Sequence, residues 1–445
     1  MMFHPSTRRG VMAFSAAASV LAPAGAGRAA TPADAQGLRI NGERLRLTLE
    51  GLSLHGRRLA RGFEDGVSRY AYSDADIAGR AFVMKLIRQT GCEPAIDAAG
   101  NILATRRGSV PGLKPILIGS HVDSVPGGGN FDGALGSMAA IEILQTLEDT
   151  HTLLRHPLQV ALWSNEEGGT IGSGLVTGAT PPEALSQTVN GIRRSDGLRR
   201  IGGDPANLAA ARIPAGALAA YIELHIEQSG RLEAAGIPIG VVDGIVAIDE
   251  YEVEIRGFAN HAGTTPMPDR RNALLAAAKL IEAVQEEVTR LPGRQVGTVG
   301  HLDVSPNARN VVPGRVNLSI ELRDLDVARI RDVAERIKAR ARLIAEDTQT
   351  EIDLKAVEQD AAALASPALQ RQIEAAAAGL GLATTHLPSG AGHDAANLAA
   401  IAPMGMIFVP SVGGISHSPR ELTRWADCTN GANVLLQTVL RVDRT

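Results

Sequence analysis

The chain has 445 residues, with 44 Lys plus Arg against 48 Asp plus Glu and a formal charge of -4, so it lacks the basic surplus of a nucleic-acid binder. Its 2 Trp, 4 Tyr and 7 Phe are too few for a base-stacking surface, and two cysteines outside any Cys-x-x-Cys spacing exclude thiolate zinc sites and a disulfide scaffold. At 44% hydrophobic and 21% charged residues, the composition is that of a sizeable soluble enzyme of two or three domains.

The first thirty residues read as an address rather than as part of a fold. Arg8 and Arg9 precede an uncharged apolar run, residues 11–26, and the small residues Ala24, Ala26 and Ala29 mark a cleavage zone. This start resembles a twin-arginine signal, which implies export to the periplasm. No other stretch approaches the roughly 20 apolar residues of a membrane span. In an oxidising compartment Cys92 and Cys428 could pair; two unpaired buried thiols is the plainer alternative.

From residue 38 onward, helical and strand patterns alternate. Residues 78–90 read as an amphipathic helix, 115–120 and 158–164 as fully buried parallel strands, 133–148 as a helix between them, and 219–227 as a further strand. This alternation predicts an α/β fold with a doubly wound, mixed and mostly parallel sheet. Near residue 247 the pattern changes. Residues 251–258 alternate strictly, then come a helix (271–290), a strand pair (296–302 and 316–322), a second helix (327–346) and a strand (351–357). Four strands and two helices make a small α+β layer. After 360 come helix, an apolar strand (404–410) and a last helix (429–441). The predicted organisation is a catalytic domain of residues 38–246 plus 360–445, interrupted by an inserted domain of residues 247–359.

Chemistry-bearing residues cluster where strands end, which is where open α/β sheets bind ligands. His121 and Asp123 follow the first buried strand, and Asp132 stands at the start of the next helix. Asn165, Glu166 and Glu167 follow the second strand, His225 ends the third, and a Gly-rich loop after the last strand delivers His417. A lone His at a strand end or an Asp at a helix start is usually a polar residue satisfied locally. Five such residues on one sheet edge point instead to divalent cations bridged by a carboxylate and completed by His and Glu, leaving one glutamate to handle a proton. Imidazole and carboxylate donors suit zinc, with manganese or cobalt as substitutes. Asp123 reads as a support that holds a ligand from behind.

The ordered stretches GSHVDSV (119–125), NFDGALG (130–136), NEEGG (165–169), ELHIEQ (223–228), ANHAGTTPM (259–267), SGAGHDA (389–395) and GGISHSP (413–419) resemble the di-metal amidohydrolases that cleave N-carbamoyl-amino acids and allantoate, relatives of aminoacylase and carboxypeptidase G. The resemblance implies that His121 and His225 hold one metal and Glu167 and His417 the other. Asp132 would bridge the two, and Glu166 would be the general base. It further implies that the inserted domain is both lid and homodimer interface. There His261 and Asn310 would reach a partner's site to support the oxyanion, and Arg323 would grip a substrate carboxylate. Gln228 and the backbone of Gly390 and Gly392 would line the same pocket. His393 and Asp394 belong to the pattern without an assignable role, and His55, His151, His156, His301 and His386 read as surface residues. The chain departs from the pattern at Gly168, Gly169, Thr170 and Ile171, at Ser229 and Gly230, and at Ile248, Asp249 and Glu250. Those departures touch pocket shape, not the metal core. The implied activity is hydrolysis of a non-peptide C–N bond in an N-carbamoyl-L-amino acid or a ureido acid such as allantoate. The alternatives are an aminoacylase or dipeptidase on the same scaffold and a non-catalytic exported binding protein.

Overall fold

The apolar runs pair with one another, because a strand without polar positions must be covered on both faces. In the computed structural model, which describes residues 37–57, 62–189 and 191–445, the strands Leu158–Trp163, Ile116–His121, Ala220–Ile226 and Met404–Val409 lie side by side, all parallel. Around them the sheet is mixed. Antiparallel Ala95–Ile96 and Ile102–Arg106 extend one edge, and Ile239–Ile245, Ala363–Leu364 and Thr384–Ser389 complete the other. The export leader expected at 1–30 lies outside the described residues. Among those residues no helix is long and apolar enough to cross a membrane.

Alternate residues of one strand enter opposite cores. Ile116 and Ile118 pack on one face with Val160, Leu162, Ile222 and Leu224, while Leu117 packs on the other with Ala161, Trp163 and Tyr221. The first face is covered by the helices Gly42–Ser53, Ala134–Asp149 and Trp425–Val442. Ala134–Asp149 is buried on nearly every side, which an apolar helix without a polar stripe requires. The last helix starts four residues before the predicted 429, because Arg424 and Trp425 open it ahead of the apolar periodicity.

A second sheet of four antiparallel strands is built from Val296–Ser305, Arg315–Asp324, Ala247–Arg256 and Glu351–Gln359, in that order. Only Val246 separates it from the strand Ile239–Ile245. The inward residues Tyr251, Val253 and Ile255 pack under the helices Ala273–Thr289 and Val327–Thr348, and the alternate residues face outward. Both cysteines are buried and unpaired, so the plainer of the two readings holds.

His386 is exposed as the sequence suggests, yet it sits between two acids. Its Nδ1 lies 2.7 Å from Asp243 and its Nε2 2.8 Å from Glu374, and Arg294 reaches the other oxygen of Asp243 at 3.0 Å. Glu374 and Asp243 raise the imidazole above its ordinary 6.5. The charged ring is thus favoured in the fold. Its contribution is complete below pH 6.5 and is lost as pH rises through the raised folded value. An exposed pair of this kind contributes under about 1 kcal/mol. His386→Ala should therefore lower the melting temperature by roughly 2 °C at pH 6 and leave it unchanged at pH 9. Thermal unfolding at the two pH values checks this, and an equal drop at both refutes the charge argument.

Candidate metal centre

Four parallel strands end on one edge, and chain order reverses there: Leu158–Trp163 lies on one side of Ile116–His121 and Ala220–Ile226 on the other. Such a switch point opens a crevice at the carboxyl ends. His121 is the last residue of its strand, His225 the next to last of its own, and Glu166 and Glu167 follow Trp163 by three and four positions. Asp132 precedes the helix Ala134–Asp149 by one residue, Gly133. Gly133 has φ of +59°, and a Cβ there would sit 2.2 Å from His121 Nε2. Only glycine allows the helix to begin this close to the histidine.

The geometry converges on Asp132. Its Oδ1 lies 3.4 Å from His121 Nε2 and 3.2 Å from His225 Nε2, and its Oδ2 lies 3.2 Å from His417 Nε2. Glu167 Oε2 is 3.4 Å from the same nitrogen of His417. His121 Nδ1 bonds the carbonyl of Asp123 at 3.0 Å, and His225 Nδ1 bonds that of Ile226 at 2.9 Å. A carbonyl only accepts, so each Nδ1 carries a hydrogen, and in the neutral ring each Nε2 keeps its lone pair on the side of Asp132, where that of His225 also accepts from Gly133 N–H at 3.1 Å. Acceptors facing acceptors at this range require a positive species between them. The buried His121 Nε2 has no hydrogen-bond partner. Ligand atoms of His121, Asp132 and His225 lie within 4.8 Å of one another, as do those of Asp132, Glu167 and His417. These two sets share Asp132 and fit divalent cations bound by imidazole and carboxylate. Glu223, His225 and His393 are equally close, but the Glu223 oxygens already accept from Ser120 and Tyr221 at 2.7 and 2.8 Å.

The electrostatics follow. Burial works against the charge of Asp132, but the three imidazoles around it, of His121, His225 and His417, outweigh that and hold it well below the carboxylate range. His417 is raised to about 9, chiefly by its bond to Asp132. Burial pushes Glu167 up to about 7, helped by Asp132. Glu166, 8% exposed, is pushed well above its ordinary value by burial, although His121 opposes the shift from 3.6 Å. Three turns around the centre run through left-handed residues other than glycine: Asn165 at φ 53°, Gln228 at 57° and His417 at 51°. Such backbone costs roughly 1 kcal/mol or more each and marks sites held by their surroundings.

The other candidates take their places around this cluster and apart from it. The Asp123 carboxylate lies 3.8 Å from His121 Nδ1 and accepts instead from the backbone N–H groups of Glu166 and Glu167, at 3.3 Å each. It holds the paired glutamates, while its carbonyl orients the histidine. Gln228 donates to Asp132 at 2.9 Å. His261 and Asn310 sit together on an exposed two-stranded antiparallel pairing of Asn260–His261 with Val311–Val312, separate from the four-stranded sheet, where Ala262 N–H donates to the Asn310 carbonyl. The His261 Nδ1 accepts from Gly263 and Thr264, so its exposed Nε2 carries the hydrogen. Among the described residues no hydrogen bond or ion pair joins either to the Asp132 cluster. Arg323 bonds the Gly390 carbonyl at 2.6 Å, and Gly392 is exposed. His393 stands edge-on to His225, 4.4 Å between ring centres, with Nε2 2.9 Å from Ser389 Oγ. Both tryptophans flank the centre. Trp163 donates to Tyr221 OH at 3.0 Å, and Trp425 packs on Phe131, with 5.5 Å between ring centres.

Glu421 escapes the sequence reading. It is 5% exposed; one oxygen accepts from the N–H of Phe131 and of Asp132, at 2.9 and 3.0 Å, and the other from Ser416 Oγ at 2.8 Å. It ties the Asp132 turn to the loop that carries His417. The available signal is an acid four residues after that histidine. Glu421→Ala leaves two buried N–H groups unpaired, which costs about 1–3 kcal/mol each, and should weaken metal affinity about 10–100-fold. Glu421→Gln keeps an acceptor oxygen and should lose much less. Competition with a chelator measures both, and wild-type affinity in the alanine variant would refute the role.

Comparison with known proteins places the chain in a family. Residues 117–441 match the model of peptidase family M20/M25/M40. The chain is 40% identical over 407 residues to an N-carbamoyl-L-amino acid amidohydrolase of Geobacillus stearothermophilus, covering 90% of this chain and 98% of the relative. It is 36% identical over 392 residues to a ureidoglycolate hydrolase of Arabidopsis thaliana, covering 84% and 82%. A crystal structure of an amidase of the hydantoinase/carbamoylase family from Burkholderia multivorans superposes with a TM-score of 0.85 at 35% identity, covering 92% of this chain and 99% of that one. The chain belongs to peptidase family M20/M25/M40, among its hydantoinase/carbamoylase amidases.

Proposed function

We propose that the chain is a metal-dependent amidohydrolase of N-carbamoyl-L-amino acids, working with two divalent cations per subunit. The observation that carries this reading is one carboxylate, Asp132, shared by two ligand sets, with Glu166 beside them and outside both. His121 and His225 would hold one cation, Glu167 and His417 the other, with zinc the first choice and manganese or cobalt able to replace it. Cations in such a set acidify water and polarise a carbonyl.

The remaining steps belong to the chain. Glu166 takes the proton of the attacking water at a carboxylate oxygen and delivers it to the leaving nitrogen. The site's burial keeps that proton from bulk water. The Nε2–H of His261, with Asn310 beside it, would stabilise the developing oxyanion. Both stand away from their own Asp132 cluster, which supports a homodimer in which each lid serves the partner's site. Arg323 would bind the substrate carboxylate, for which its planar guanidinium suits two-point contact. Ammonia and carbon dioxide leave, and the amino acid remains. The paired arginines of the leader support export to the periplasm.

Ammonia release by metal-loaded protein from N-carbamoyl-L-amino acids, allantoate and ureidoglycolate, beside amino-acid release from a dipeptide, tests the reaction class. Release from a carbamoyl amino acid supports the proposal, and turnover of the dipeptide alone overturns it. Glu166→Gln should keep the metal content while lowering the rate at least about 10²–10⁴-fold; wild-type turnover in that variant would remove Glu166 from the mechanism.

A further inference from the structure

Arg323 stands on the outward face of the strand Arg315–Asp324, and Glu321, two residues earlier, shares that face. The Glu321 carboxylate meets the guanidinium side-on, accepting from Nε at 2.7 Å and from Nη2 at 2.9 Å. The Gly390 carbonyl accepts from Nη1 at 2.6 Å. A guanidinium has five N–H bonds, and these contacts use three of them. The two that remain are one on each terminal nitrogen.

The neighbours explain why Glu321 turns toward Arg323. Directly across the sheet it faces Thr298 on one side and Glu250 on the other. Like charges opposite each other on adjacent strands repel, and Arg323 is the cation within reach. Glu250 is one of the acids by which this chain departs from its family's pattern. Asp249 beside it points inward and accepts from Gln359 at 3.2 Å.

We infer that Glu321 is a positioning residue for carboxylate recognition: it saturates the side-on edge of Arg323 and presents the end-on edge as the one place where a substrate carboxylate is held at two points. Together with the Gly390 carbonyl it holds the guanidinium before substrate arrives, and the edge it occupies is closed to a second carboxylate. The inference rests on the reading of Arg323 proposed above.

The test compares Glu321→Ala, Glu321→Gln, Arg323→Ala and the Glu321→Ala/Arg323→Ala double variant, each metal-loaded. The substrates are an N-carbamoyl-L-amino acid and its carboxamide, which lacks the negative charge. Glu321→Ala should raise KM for the acid about tenfold, the worth of one charge-assisted hydrogen bond. Its kcat, its melting temperature and its KM for the carboxamide should stay as in wild type. Glu321→Gln keeps one acceptor oxygen and should recover part of the loss. The double variant should bind the acid no worse than Arg323→Ala alone, because Glu321 acts only through that arginine. An unchanged or lower KM in Glu321→Ala, additive losses in the double variant, or equal losses on acid and carboxamide would each overturn the role. A wild-type protein that turns over neither substrate would instead remove the ureido-acid reading, and this inference with it.

Discussion

Three imidazole nitrogens and a neighbouring glutamate press on one aspartate, and the rest of the fold is arranged so that they cannot move apart. Two of those imidazoles give their Nδ1 hydrogen to a backbone carbonyl, so in the neutral rings the Nε2 lone pairs face the Asp132 oxygens across 3.2 to 3.4 Å. That arrangement is unfavourable without a positive charge between the groups, and the surrounding carboxylates accordingly raise the proton affinity of the three histidines. With divalent cations the same contacts become ligation. The supports around the centre therefore hold a geometry that a bound cation would stabilise.

The supports are drawn from the whole length of the protein. The parallel strands bring His121, Glu166 and His225 to one edge through main-chain pairing, which is rigid and indifferent to side chains. What the sheet does not reach is held by single residues. Gly133 lets a buried helix start against His121, Asp123 anchors the two glutamates by their backbones, and Glu421 fastens two loops together. The left-handed turns at Asn165, Gln228 and His417 store backbone strain that the surrounding hydrogen bonds offset.

Much of this was legible before any coordinates. A short apolar run such as PILIGS or VALW, bounded by turn or polar residues, reads as a buried strand, and a His or Glu just beyond it then falls at the sheet's edge. The strict alternation of YEVEIR likewise marks a strand with one solvated face. Other features were hidden for physical reasons. The strand Ile239–Ile245 carries two glycines and an aspartate, which read as loop chemistry, and Ala95–Ile96 is too short to show a period. The bond between Glu421 and the Asp132 turn joins positions 289 residues apart, so no local pattern could announce it. Asp123 reads from the sequence as a support behind a ligand, but the spacing does not say which one, since a carboxylate two residues from a histidine can face either the ring or the next loop.

The two tryptophans give the centre an optical signature. The indole of Trp163 is buried three residues before Glu166, and that of Trp425 lies against Phe131, the neighbour of Asp132. The chain has no other tryptophan. Its near-ultraviolet emission thus originates at two points that bracket the metal-binding turn, one in the sheet beneath it and one on the helix behind it. An event that shifts either wall of the crevice is reported by the protein's own fluorescence, without a label.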